Sequence, residues 1–300
     1  MGRRRSRAHD FSAEGGRELE TGLIVFRFRA HGKKAAVPGG DGMLKVSEML
    51  ANREVAPGQL AIYWLCQAGF AFKSSSKEVV FIDPYFSDLV ERLVGFKRMM
   101  PCPIQAEEAN ANLIVCTHEH PDHMDTDALP VLAINPKTQF AGPIECMKEF
   151  SKAGIPAERC HLLEEGKSLR LGGLKIHAVY ADHGEYAPDA LGIVLNLNGI
   201  KVYHTGDTAY RPDEFRPVID LHPDILLPCI NGRFGNMDAQ EAALLTQLVS
   251  PRIVVPTHFW MFVEQNGDPG LFLERCKELA PRTRAVLMKP GEEFLFKRES

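Results

Sequence analysis

Four side chains within six residues raise the first chemical question. His118, His120, Asp122 and His123 stand in Thr117-His118-Glu119-His120-Pro121-Asp122-His123, an H-x-H-x-D-H pattern. Imidazole nitrogen and carboxylate oxygen are donors for borderline divalent ions such as Zn²⁺, Mn²⁺ or Fe²⁺. In extended backbone His118 and His120, two residues apart, point the same way. A turn at the adjacent Asp122 and His123 can aim these two at a second ion. An exposed polar turn would not need the apolar strand, expected over 113–117, that runs directly into the motif.

The motif alone cannot complete two sites. Three more donors each follow an expected strand: His183 after 175–181, Asp207 after 201–205 and His258 after 253–257. A lone histidine after a strand is more often structural, but a shared position at strand ends marks the three as a set, because loops at one sheet edge converge. The resulting seven donors exceed what one tetrahedral site uses, so two divalent metal ions per chain, Zn or Mn, are expected. Asp83, Asp125 and His204 are candidates to hold ligand imidazoles from behind. Asn231 and Arg233, after the strand expected over 225–229, are candidate substrate-binding residues, Arg233 suiting a phosphate or carboxylate. Arg92, Lys97, Arg98 and Arg211 are other basic candidates, with solvated surface the commoner role. Trp260 and Phe262 flank His258 as walls of the site or as core.

The elements that must position these groups are legible as short β-type runs over 60–65, 70–73, 79–83, 192–197, 285–288 and 293–297, besides the strands already named. Helices are expected over 126–133, 144–153, 238–248 and 269–279. A sheet sandwich flanked by helices satisfies this order.

Composition narrows the function classes. Hydrophobic residues make up 45% and charged residues 25% of 300, ordinary for a globular chain. The net charge of −4 gives no field drawing the protein to nucleic acid or an anionic membrane. Residues 1–42 hold nine Lys or Arg against five Asp or Glu, leaving −8 for the remainder. This segment ends in Pro38-Gly39-Gly40-Asp41-Gly42 and reads as a flexible basic tail before a single domain over 43–300. The seven cysteines show no CxxC pair, so they read as reduced, small apolar residues of a cytoplasmic protein. No apolar stretch approaches membrane-spanning length. The expected partner is a small-molecule substrate, with no membrane and no nucleic acid; self-association into a homo-oligomer is left open.

The chain resembles the metallo-β-lactamase superfamily over about residues 60–297, through H-x-H-x-D-H followed by a later His, an Asp and a final His. Within it, the chain is similar to the L-ascorbate-6-phosphate lactonase branch. The carrying residues are Glu54-Val55-Ala56-Pro57-Gly58 with Tyr63-Trp64-Leu65, Thr117 through Asp125, and His204-Thr205-Gly206-Asp207. The resemblance implies a four-layer αββα sandwich. It also implies that His118, His120 and His183 hold one ion, that Asp122, His123 and His258 hold the other, and that Asp207 bridges. Two cations close together lower the pKa of a water between them, giving hydroxide at neutral pH. Asp122 is then both ligand and catalytic proton acceptor. The expected activity is metal-dependent hydrolysis, of a lactone on a sugar-acid phosphate. The alternatives are phosphodiester hydrolysis, including RNA, and a non-enzymatic metal- or partner-binding role.

Overall fold

The computed structural model describes residues 45–298; the segment read as a flexible tail, 1–42, lies outside them. Two seven-stranded sheets stack face to face. The first half of the chain supplies β1 (Gln59–Trp64), β2 (Phe70–Ser74), β3 (Val79–Ile82), β4 (Leu113–Val115), β5 (Gln139–Gly142) and β6 (Cys160–Leu162). The second supplies β7 (Ser168–Leu171), β8 (Leu174–Tyr180), β9 (Leu191–Leu197), β10 (Ile200–His204), β11 (Ile225–Leu227), β12 (Ile253–Val254) and β13 (Arg284–Ala285). A last strand, β14 (Glu293–Lys297), returns to pair antiparallel with β1 at the edge of the first sheet. The helices are α1 (Val46–Asn52), α2 (Leu89–Val94), α3 (Leu129–Leu132), α4 (Ile144–Lys152), α5 (Arg216–Leu221), α6 (Ala239–Val249) and α7 (Pro269–Leu279).

Side-chain alternation explains the layering. Along β1, Leu60, Ile62 and Trp64 pack into the core shared with the second sheet, whereas Ala61, Tyr63 and Leu65 pack with α1, α3 and α4. The strand is covered on both faces, so it reads as a continuous apolar run. On the far side, Val218 of α5, Ala242 and Leu245 of α6 and Phe272 and Cys276 of α7 join the core of the second sheet. Burying each large side chain stabilises the fold by roughly 1.5–3 kcal/mol. The result is the four-layer αββα sandwich that the sequence led us to expect.

Local chemistry trims several expected elements. The strand expected over 253–257 is regular only at Ile253–Val254, because Pro256 has no N–H to donate; Thr257 keeps one isolated bridge to Cys229. The helix expected over 126–133 contracts to Leu129–Leu132, with Pro130 in its first turn. Asp238 caps α6 through Glu241 N (2.9 Å), and Glu241 reaches back to Asp238 N (3.1 Å), which fixes that helix close to the expected bounds. The seven cysteines are all free, and Cys66, Cys116, Cys146, Cys229 and Cys276 are buried. Among the described residues no helix is long and apolar enough to cross a membrane.

Candidate metal centre

The strand directions bring the expected donors together. β3 and β4 are parallel, and β1 runs with β3 because both are antiparallel to β2; in the second sheet β8, β10, β11 and β12 share one direction. Their carboxyl ends therefore open at the same rim, where loops carry Gln67, Asp83, His118 to His123, His183, Asp207 and His258. A hydrogen bond from Leu191 N to Thr117 O (3.0 Å) ties the two sheets beneath them.

Three donor groups form, with the atoms of each group within 4.8 Å of one another: His118, His120 and His183; His118, His123 and Asp207; and Asp122, His123 and His258. In the first, His118 Nε2 lies 3.1 Å from His120 Nδ1, which lies 3.3 Å from His183 Nε2. The proton positions follow from the outer partners. The Thr117 hydroxyl gives its proton to Asp83 (2.7 Å), so it accepts from His118 Nδ1 (3.0 Å) and leaves Nε2 a lone pair. Tyr186 O can only accept, so His120 Nε2 (3.1 Å) carries the proton and its Nδ1 is the lone pair. Facing lone pairs at this distance repel unless a positive charge lies between them. Two ligands about 2.05 Å from a tetrahedral ion stand about 3.4 Å apart, close to the spacing seen.

The remaining donors, Asp122, His123, His258 and Asp207, form a second cluster that carries the carboxylates. His123 Nδ1 faces Asp83 Oδ2 at 2.8 Å, while its Nε2 lies 3.1 Å from His258 Nε2. Asp122 Oδ2 stands 3.4 Å from His258 Nε2 and 3.7 Å from His123 Nε2. Asp207 reaches both groups: Oδ1 is 3.2 Å from His123 and His258, and Oδ2 is 3.8 Å from His183. Oδ2 accepts from Asn236 (2.7 Å), whereas buried Oδ1 has no hydrogen-bond partner among the described residues. An orphaned carboxylate oxygen between two imidazoles fits a cation as its missing partner.

Charge regulation points the same way. Burial alone pushes His123 down, but the carboxylates of Asp207, Asp122 and Asp83 together hold it well above the usual histidine range. Burial also opposes His258, which Asp207 and Asp122 raise to about 9. Burial and the neighbouring His123 hold His118 far below its ordinary value. Asp207 is held well below the carboxylate range by His258 and His123 despite its burial. The carboxylates thus draw positive charge to this point.

The backbone is bent to make this possible. Gly206 has φ +61, and a Cβ there would meet Leu191 O at 2.8 Å and Thr117 Cβ at 3.1 Å, so only glycine lets Asp207 come this close. Asp83 and His258, neither of them glycine, also take left-handed φ values of 46° and 62°. Strain of this kind persists where surrounding contacts over-determine it.

The supporting residues divide. Asp83 contacts His123 and, through Thr117, His118. His204 touches no donor side chain; its Nε2 donates to Ala68 O (2.7 Å) and its Nδ1 accepts from Gly206 N (3.0 Å), so it shapes the Gly206 turn. Asp125 instead binds the Phe86 and Ser87 amides (2.9 and 2.7 Å), tying a loop to the start of α3. Sequence reasoning missed Gln67. This fully buried residue, at φ 50°, donates from Nε2 to Asp122 Oδ2 (2.7 Å) and lies 3.2 Å from His258 Nε2. Its carbonyl accepts from Thr257 Oγ1 (2.6 Å), Trp64 Nε1 (3.0 Å) and His258 N (3.1 Å). The available signal was one amide in the apolar run from Leu60 to Phe72.

A cavity of about 210 Å³ opens above His120, Asp122, His183, Asp207 and His258. Its walls are chiefly Val90, Val94, Phe96, Phe234 and Phe262, with Tyr186 and Gln265, and among the described residues no Lys or Arg lines it. A larger groove of about 660 Å³ touches only His183 of the donors. Phe262 is thus a wall, as considered from the sequence, while Trp260 is half exposed outside it. Asn231 and Arg233 do not line the cavity, contrary to expectation. Arg233 turns to the Asn266 side-chain oxygen (2.9 and 3.2 Å), and Asn231 Nδ2 is held by Arg233 O (3.3 Å). Arg92 pairs with Asp127 (2.6 Å), Arg211 with Asp182 (2.8 Å), and Arg98 binds Phe86 O (2.8 Å).

Residues 61–258 match the model of the beta-lactamase superfamily domain. The chain is 30% identical over 250 residues to a UPF0173 metal-dependent hydrolase of Archaeoglobus fulgidus, covering 79% of this chain and 99% of the relative. A relative from Rubrobacter xylanophilus carrying the same description is 31% identical over 249 residues, covering 79% and 97%. Among solved structures, the metallo hydrolase Igni18 of Ignicoccus hospitalis superposes with a TM-score of 0.65 at 26% identity, covering 80% of this chain and all of that one.

Proposed function

Because this chain belongs to the metallo-β-lactamase superfamily, among its UPF0173 metal-dependent hydrolases, we propose that it cleaves a small carboxylic ester or lactone with a pair of divalent ions. His118, His120 and His183 would hold one ion, Asp122, His123 and His258 the other, with Asp207 shared. The observation that carries this reading is the reach of the Asp207 carboxylate into both donor groups with its buried Oδ1 unpartnered. Bound there, such ions polarise a carbonyl and acidify water.

The chain's own residues do the rest. Gln67 holds Oδ2 of Asp122, and this carboxylate, at the edge of the cavity, is the proton acceptor. Asp83 takes the His123 Nδ1 proton and Thr117 that of His118, so both rings present Nε2 inward. The apolar walls limit water at the reacting carbonyl.

The lactone in this reading comes from the resemblance of residues 54–58 and 63–65 to the ascorbate-phosphate lactonases. The phosphate is dropped, because among the described residues no cationic side chain lines the cavity to meet it. For the same reason a polyanionic phosphodiester such as RNA is disfavoured. The test is a panel of neutral lactones, aryl esters and bis(p-nitrophenyl) phosphate, run on protein reconstituted with Zn²⁺ or Mn²⁺ and analysed for metal. We expect about two ions per chain and turnover of carbonyl substrates above the phosphodiester; faster phosphodiester cleavage would overturn the proposal.

A further inference from the structure

The cavity wall says more about the substrate than its bond type. Val90 and Val94 come from α2, Phe96 from the segment after it, Phe234 from the loop after β11, and Phe262 from the loop after His258. The aromatic rings touch in sequence: Phe96 lies 6.2 Å from both Phe234 and Phe262, and Phe262 lies 6.0 Å from Tyr85. Four separate segments thus supply one continuous apolar wall facing a floor of charged donors.

The rim is also costly to leave bare. Val94 is 56% exposed, Phe234 41% and Tyr186 61%, three large side chains around one opening. Clustered exposed apolar groups at a cavity mark a binding surface more often than scattered ones do. One polar group interrupts the wall: Gln265 is buried, and its Oε1 has no partner among the described residues. An unpaired buried carbonyl oxygen carries a desolvation cost that a hydrogen-bond donor on a ligand recovers. The volume, about 210 Å³, lies below the roughly 300–1,000 Å³ of drug-sized pockets.

We propose that the substrate is a small uncharged ester or lactone with an apolar alkyl or aryl substituent, seated against Phe96, Phe234 and Phe262, and with a hydroxyl or amide N–H that donates to Gln265 Oε1. This rests on the ester or lactone reading above, and its test separates the two. 2-Alkylcyclopentanones with chains of increasing length present a neutral carbonyl with no bond to hydrolyse, so calorimetry on the metal-loaded protein reads the wall independently of the bond broken.

Affinity rises about threefold to fourfold for each methylene buried, and levels off once two to four have filled the cavity. Phe234→Asn, chosen because asparagine tolerates the φ of 55° at that position, flattens the series while metal content stays at the wild-type value. A flat series in the wild-type protein, or an unchanged slope in Phe234→Asn and in Phe96→Ser, overturns the substrate class. If instead the slope holds while no ester or lactone in the panel is turned over, the wall assignment stands and the bond assignment fails.

Discussion

The floor of the cavity and its mouth are built on opposite principles. The floor is polar, buried and over-determined: each imidazole of His118, His120 and His123 has a second partner behind it, and Asp83 and His258 are held in left-handed backbone. The mouth is apolar and partly exposed, and comes from α2 and from loops whose aromatic side chains pack on one another. The floor tolerates almost no displacement, because donor spacing sets which cation fits. The mouth can change shape without disturbing those distances. Chemistry is thereby fixed in one region and choice of substrate left to the other, the division expected where function is grafted on a shared fold.

The sharpest break of this comparison is at the floor. Asp207→Asn removes a charge that reaches both donor groups while keeping a side chain of the same shape. We expect metal content to fall and kcat to drop by a factor of about 100 or more, since mispositioning of this kind costs on that scale. If Asp207 only shapes the turn after Gly206, asparagine would serve as well there. Near-normal metal content and rate in Asp207→Asn would remove the shared-carboxylate assignment.

Gln67 sharpens the boundary between donors and their support. Gln67→Asn keeps an amide that tolerates the φ of 50° but is one methylene too short to reach Asp122. The expected outcome is a roughly tenfold loss of kcat, the low end for a partner that orients a ligand, with KM little changed. A merely structural Gln67 would show as a lower Tm with kcat intact.

The two regions also differ in how far the sequence reveals them. The floor was legible because His118 to His123 lie within six residues, and because His183, Asp207 and His258 each follow an apolar strand. The sandwich was legible for a related reason: strands such as β1 and β3, buried on both faces, stand out as apolar runs. α1 and α2 were not, since seven and six residues with two buried positions each show no full helical period. β7 escaped notice because Ser168 and Arg170 face solvent. The mouth left little pattern beyond Phe262 beside His258. Val94, Phe96, Phe234 and Phe262 are scattered along the chain, and each alone looks like core. Gln67 was hidden by its apolar neighbours, although an amide among them is costly unless it has a task.

Arg233 gives the comparison its smallest test. On sequence grounds it was the residue to meet a phosphate or carboxylate, following β11 toward the site. In the structure the guanidinium turns to Asn266 and stays off the cavity wall, while its neighbour Phe234 takes that place. Arg233→Ala should therefore change kcat/KM for a neutral ester by less than about twofold, the range of a surface substitution with no buried partner lost. The same change should leave discrimination between neutral and anionic esters untouched. A marked loss confined to anionic substrates would mean that the arginine swings inward on binding, and that the mouth reads charge as well as apolar surface.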